Sequence, residues 1–393
     1  MKLFMGLVRL SAFGVMVVGT TASAQKEQWL DYHVSRDGRG FRNLRLTTNP
    51  PPNVQLPNLN ARPYFAHWLT PLDPAGRWLC LDRSKKSGLY DRVYFDTTGN
   101  GRLDDKTPTA TAHIDQYNAF FEPTRVVFKG EDGPITYHLV FRFSQYEGGD
   151  PNLYASSGGY YAGKVDIGGK KRQIELIDEN VNGSFSDRGT EVGESDCVTV
   201  EGDKVPQRYL GKLLEVDGQF YQIEVARDGA FIKLQKAENL LLGQVRVPET
   251  ISEFIAFGEN GYLVRVPAKG EFTLPAGKYC IQDWKINRKD DKGAAWEVSA
   301  YNFNESARFE VAADKPVSLE VGEPMLVSMQ VQEPGSQPGA RDTARQLTFN
   351  LRFQGHYGEA LQIMKGTERP RGPRLTLTSL DGTYRYTNNF EFG

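Results

Sequence analysis

Cysteine is scarce: Cys80, Cys197 and Cys280 stand far apart in a chain of 393 residues. At most one disulfide can form among them, and no paired spacing of a zinc site exists, so the fold rests on hydrophobic cores. A charge excess of either sign is also lacking. With 47 basic and 49 acidic residues the formal net charge is −2, which excludes the basic footprint of a nucleic-acid binder. The five histidines, His33, His67, His113, His138 and His356, are scattered without metal-ligand spacing. His138 sits in an alternating run with Tyr137, Leu139, Phe141 and Phe143 and reads as a solvated strand residue. No His-Glu-x-x-His segment, Gly-x-Ser-x-Gly elbow, Ser-x-x-Lys or phosphate-binding Gly-rich loop occurs, so nucleophilic catalysis has no visible foothold.

Long apolar runs are missing as well; nothing approaches the roughly 18 residues of a membrane-crossing helix, and no membrane insertion is expected. The most apolar stretch, Leu10 to Gly19, follows Lys2 and Arg9 and leads into Ala22-Ser23-Ala24. A basic start, a short apolar centre and a small-x-small end predict a signal peptide over 1–24, hence a secreted or periplasmic protein. No Cys near the cut offers a lipid attachment point.

What remains alternates. Leu214 and Val216 precede Asp217-Gly218; Tyr221, Ile223 and Val225 alternate up to Asp228-Gly229; Ile232 and Leu234 follow. This spacing predicts a three-strand meander with two tight Asp-Gly hairpins, because primed turns need residues tolerant of positive φ. Similar hairpins are expected across Gly168-Gly169 and Asp381-Gly382, and one short helix around 113–121. The predicted class is mainly β: antiparallel sheets or sandwiches in two or three domains with few short helices. The expected division is a β-rich domain over 25–240, with an extended Pro-rich lead-in at 49–57, and a sandwich-like domain over 241–330. C-terminal strands over 331–393 either complete that sandwich or stand apart, and the stretch 333–339 is expected to be a flexible connection.

Two segments carry chemistry. Val93-Tyr94-Phe95 runs into Asp96, Thr98, Asn100, Gly101, Arg102, Leu103, Asp104 and Asp105; Ile174 to Ile177 runs into Asp178, Asn180, Asn182, Gly183, Ser184, Phe185, Ser186 and Asp187. Counted from the first Asp, both place oxygen-bearing side chains at positions 1, 3, 5 and 9, Gly at 6, an apolar residue at 8 and Asp at 10. Calcium takes six to eight oxygens, so a loop must curl to aim alternate side chains inward, and Gly at position 6 allows the turn. These segments resemble the calcium loops of EF-hand and dockerin proteins. The resemblance implies Asp96, Thr98, Asn100 and Asp104 as ligands in the first loop, and Asp178, Asn180, Asn182 and Ser186 in the second. Arg102 and Ser184 would offer backbone carbonyls at position 7. It departs at position 12, where Thr107 and Gly189 replace the usual Glu, and Asp105, Asp187 or Glu191 would supply the missing carboxylate. With few charged ligands the expected dissociation constants are about 0.1 to 1 mM. The same Asn-Gly pairs also suit plain hairpin turns.

Tyr154, Tyr160 and Tyr161 flank a Gly-rich stretch as a candidate sugar-stacking surface. The segment Glu271 to Tyr279 contains Leu274-Pro275-Ala276-Gly277-Lys278-Tyr279 and resembles the turn and strand of prealbumin-like and immunoglobulin-like accessory modules, which implies a β-sandwich with Tyr279 and Ile281 entering its core. The leading functional expectation is an exported, noncatalytic protein with structural Ca2+ and a polysaccharide or extracellular protein partner. A carbohydrate-active enzyme with two hidden carboxylates and a structural protein with no ion are the alternatives.

Overall fold

A computed structural model describes residues 26–130, 133–189, 192–203, 205, 207–267, 270–332 and 347–391; the leader, Glu191 and the connection at 333–339 lie outside them. The chain is mainly β, with 58% strand and 1% helix, and among the described residues its strands pair antiparallel apart from Leu242–Arg246 beside Val317–Ser318, with one further parallel bridge between Gln55 and Arg102. The spine is the strand Asn152–Ile167. Asp31–Leu44 runs along one of its edges, while Gly133–Ser144 and then Lys170–Ile177 run along the other. Further strands extend this into a sheet of twelve. Alternation decides which side chains go inward: Leu153, Ala155, Ile174 and Leu176 face a core built around Trp68, Tyr137, Phe141 and Phe143.

The meander forms as its spacing predicts, from Leu213–Val216, Gln219–Val225 and Phe231–Lys236, with Gln28–Trp29 added at its edge. Asp217 and Gly218 both have positive φ, 52° and 74°, which makes a two-residue primed turn. The second turn is longer, spanning Ala226 to Ala230, and only Gly229 takes positive φ. The two faces of this sheet serve different cores. Leu214, Val216, Tyr221 and Ile223 belong to the first core, whereas Leu213 and Phe220 pack with Val245, Phe254, Tyr262 and Trp284 in the second.

That second core lies between a three-stranded sheet centred on Leu242–Arg246 and an eight-stranded sheet. Tyr279 and Ile281 enter it as expected, and the Tyr279 hydroxyl donates to the Pro275 carbonyl at 2.7 Å, closing the Pro-Gly turn on itself. A seam cluster of Ile177, Cys197, Tyr209, Ile255 and Leu263 joins the two halves. One expectation is overturned: 113–121 is a hairpin, formed by Thr109–Ile114 and Asn118–Phe121. Asp115 decides this, because its carboxylate accepts the backbone N–H of Tyr117 and Asn118 and so makes a turn that competes with helix.

Candidate calcium loops and the cleft beside them

Both acidic loops adopt one hydrogen-bonding pattern. The carboxylate at position 1 accepts the backbone N–H of positions 5 and 6: Asn100 and Gly101 to Asp96, Asn182 and Gly183 to Asp178. The Asn at position 5 accepts the N–H of position 7 and donates its amide to the Asp at position 10, Asn100 to Asp105 at 2.9 Å and Asn182 to Asp187 at 2.5 Å. Positive φ recurs at positions 4 and 6, carried by Gly99 and Gly101 in one loop and by Val181 and Gly183 in the other. Leu103 and Phe185, at position 8, are buried and anchor the loops.

The loops differ in what neutralises them. In the first, Arg102 donates two N–H groups to Asp104, at 3.2 and 2.9 Å, and Lys106 lies 2.8 Å from Asp105 and 3.0 Å from the Thr98 hydroxyl. Lys106, then Asn100, holds Asp105 below the usual carboxylate range. The buried Arg77 packs beneath Gly99; its Nε lies 3.0 Å from Asp73, an ion pair without hydrogen-bond alignment. Cations of the chain itself therefore contact three of the proposed ligands, Thr98, Asp104 and Asp105.

The second loop has no such partners. Among the described residues, no Lys or Arg pairs with Asp178, Asp187 or Asp196. Asp178 is fully buried and accepts the Tyr137 hydroxyl at 2.8 Å. Burial pushes it up to about 7, against the hydrogen bonds from Tyr137, Gly183 and Asn182. Asp196 accepts N–H groups from Glu179 and Asp187, yet burial, and then the charge of Asp178, drives it well above the usual range. Asn180 and Asn182 both donate to Asp187 Oδ2, and Asn180 Oδ1 is shut away from solvent with no hydrogen-bond partner. An orphaned amide oxygen beside three carboxylates lacking cations is the donor chemistry of a hard cation site. Among the described residues no three His, Cys, Asp or Glu side chains converge as a metal-binding group, so a cation held here would also need Asn and backbone oxygens. Ser184 and Ser186 bring their hydroxyls to 3.3 Å of one another.

Two contributors were invisible in the ten-residue pattern. Asp196 arrives from the turn before Cys197–Val200, and Tyr137 comes from a strand 41 residues away. Val181 is a third feature: a β-branched residue at φ 54° is strained, and its carbonyl is held by Trp68 Nε1 at 2.7 Å.

Of the tyrosines singled out from the sequence, Tyr154 and Tyr160 share the outer face, where Phe41 lies tilted against the first and His33 stacks on the second, while Tyr161 points inward onto Phe185 at 5.1 Å. Period-two alternation puts adjacent residues on opposite faces, so the three cannot form one surface. Asn180, Asn182 and Asp187 line a cleft of about 680 Å³. A second cavity, of about 370 Å³ at the seam, is lined by Tyr209, Glu253, Arg265, Asp283 and Lys285. Burial pushes Glu253 up, but Arg265, at 2.9 and 3.0 Å, and then Lys285 more than offset this and hold it low. Asp283 has a buried Oδ1 without a partner, and burial moves it from 3.8 up to about 7. A carboxyl that binds its proton more tightly when folded stabilises the fold at low pH, and that contribution is lost as pH rises from about 4 to about 7. Asp283→Asn should therefore flatten the fall in urea midpoint across this window; an unchanged slope would refute the assignment.

In comparisons with known proteins, no family model matches the chain, and neither a curated protein nor a solved structure matches it significantly.

Proposed function

We propose that this is an exported, noncatalytic calcium-binding β protein whose cation site is the second loop, with Asp178, Asn180, Asn182 and Asp187 as its side-chain oxygen donors and Asp196 bracing the loop through the N–H groups of Glu179 and Asp187. The observation that carries the reading is the contrast between two loops of equal backbone geometry. Arg102 and Lys106 pair with Asp104 and Asp105 in the first, whereas the second buries carboxylates and an unpaired amide oxygen that, among the described residues, form no ion pair with a Lys or Arg. Buried charge without a partner is costly, and a bound divalent ion removes that cost. Calcium would be structural there, tying the end of Lys170–Ile177 to the turn before Cys197–Val200. The export signal over 1–24 agrees with an environment where millimolar calcium is available.

Calorimetric titration of residues 25–393 with calcium tests this. One equivalent should bind with a dissociation constant of about 0.1 to 1 mM, the range of extracellular modules. Silence up to several millimolar would leave the loop an ordinary turn and end the proposal.

A further inference from the structure

The second loop opens onto the cleft, whose remaining walls include an apolar side, two arginines and the acidic Glu194. Phe41 and Leu69, 58% and 52% exposed, with Pro71 and Pro74, form an apolar side. Arg42 and Arg188 also line it. Each guanidinium donates one N–H to a backbone carbonyl, Arg42 to Leu69 and Arg188 to Ile223, and neither forms an ion pair among the described residues. Phe41 is braced by Tyr154, 5.1 Å away, whose ring carries Arg142 at 4.7 Å. The cleft thus joins an exposed aromatic ring, two guanidiniums that make no ion pair among the described residues, the carboxylate of Glu194 and the candidate cation loop.

We infer that the cleft binds a carboxylate-bearing sugar chain, a uronate oligosaccharide, only when calcium occupies the second loop. This rests on the calcium reading. Without the ion, Asp187 and its neighbours repel an anion; with it, that negative charge is offset and a ligand oxygen can complete the coordination shell. Guanidiniums match the planar carboxylate. The apolar side suits the C–H face of a pyranose, and about 680 Å³ lies within the usual size of small-ligand sites. An acidic peptide would supply the carboxylates but not the ring that the Phe41 side accommodates.

The test is titration of calcium-saturated protein with trigalacturonate, its methyl ester and a short polyglutamate. Trigalacturonate should bind, its ester at least about tenfold more weakly, as expected for loss of a charge-assisted contact. Polyglutamate should bind more weakly too, and chelator should abolish all binding. Arg42→Ala and Phe41→Ala, both at the surface, should each weaken trigalacturonate about tenfold while leaving calcium affinity intact. Equal binding of acid and ester, equal binding of polyglutamate, indifference to calcium, or an unaltered Arg42→Ala affinity would each overturn the inference. If calcium binds and trigalacturonate is silent, the ligand inference alone falls; if calcium itself fails to bind, the underlying reading falls with it.

Discussion

Asp178→Asn should abolish the gain in stability that calcium gives, and Asp96→Asn should leave that gain in place. At 10 mM calcium, a site with a dissociation constant of about 0.1 to 1 mM stabilises the folded state by about 1.4 to 2.7 kcal/mol. For a cooperative unit of about 150–250 residues this raises the melting temperature by roughly 2–4 °C per kcal/mol. The asparagine keeps an acceptor for Gly183 N–H and the Tyr137 hydroxyl and gives up the weaker bond from Asn182, at 3.2 Å. It also removes a buried negative charge. In chelator at pH 8 the variant should therefore unfold within about 1 kcal/mol of the parent, the net worth of one hydrogen bond. That separates loss of a ligand from loss of the fold. If Asp178→Asn still gains stability from calcium, or if Asp96→Asn alone loses the gain, the ion is elsewhere.

Trp68→Ala should cost about 3–5 kcal/mol, the usual result of emptying a buried Trp site. Trp68 is fully buried, stacked on Tyr137 at 5.9 Å and edge-on to Phe95 at 6.1 Å. It is also the tether of the second loop, because its indole N–H fixes the strained Val181 carbonyl while Tyr137 reaches Asp178. Trp68→Phe separates these roles. It fills most of the space but orphans the carbonyl, a loss of about 1–3 kcal/mol, and calcium affinity should fall with it. Urea midpoints with and without calcium give both numbers. Calcium affinity unchanged in Trp68→Phe would show that the loop holds its shape without the tether.

The β class was legible because period-two alternation is a local property. The meander was legible in register at Asp217-Gly218, where two residues must take positive φ. At 113–121 the side-chain pattern left helix open, and the carboxylate of Asp115 closed that option. Within the loops, positions 1, 5, 6, 8 and 10 carried their geometry in their identities. The ranking of the loops did not follow from spacing. Both have a basic residue at position 11, but Lys106 turns onto Asp105 whereas Arg188 turns away to the Ile223 carbonyl. Only position 7, Arg102 against Ser184, hinted at the difference. Asp196 and Tyr137 join through tertiary pairing, which no local pattern encodes.

The meander that divides its side chains between two cores has a consequence for how this chain can vary. Leu213 and Leu214 are neighbours in sequence, yet each is accountable to a different half of the molecule, as are Phe220 and Tyr221. A shift of one residue in this sheet would exchange the two sets and disturb both cores at once. The halves are therefore not interchangeable parts joined by a linker; an insertion or recombination point placed near residue 215 breaks a shared wall, and the two halves must drift together.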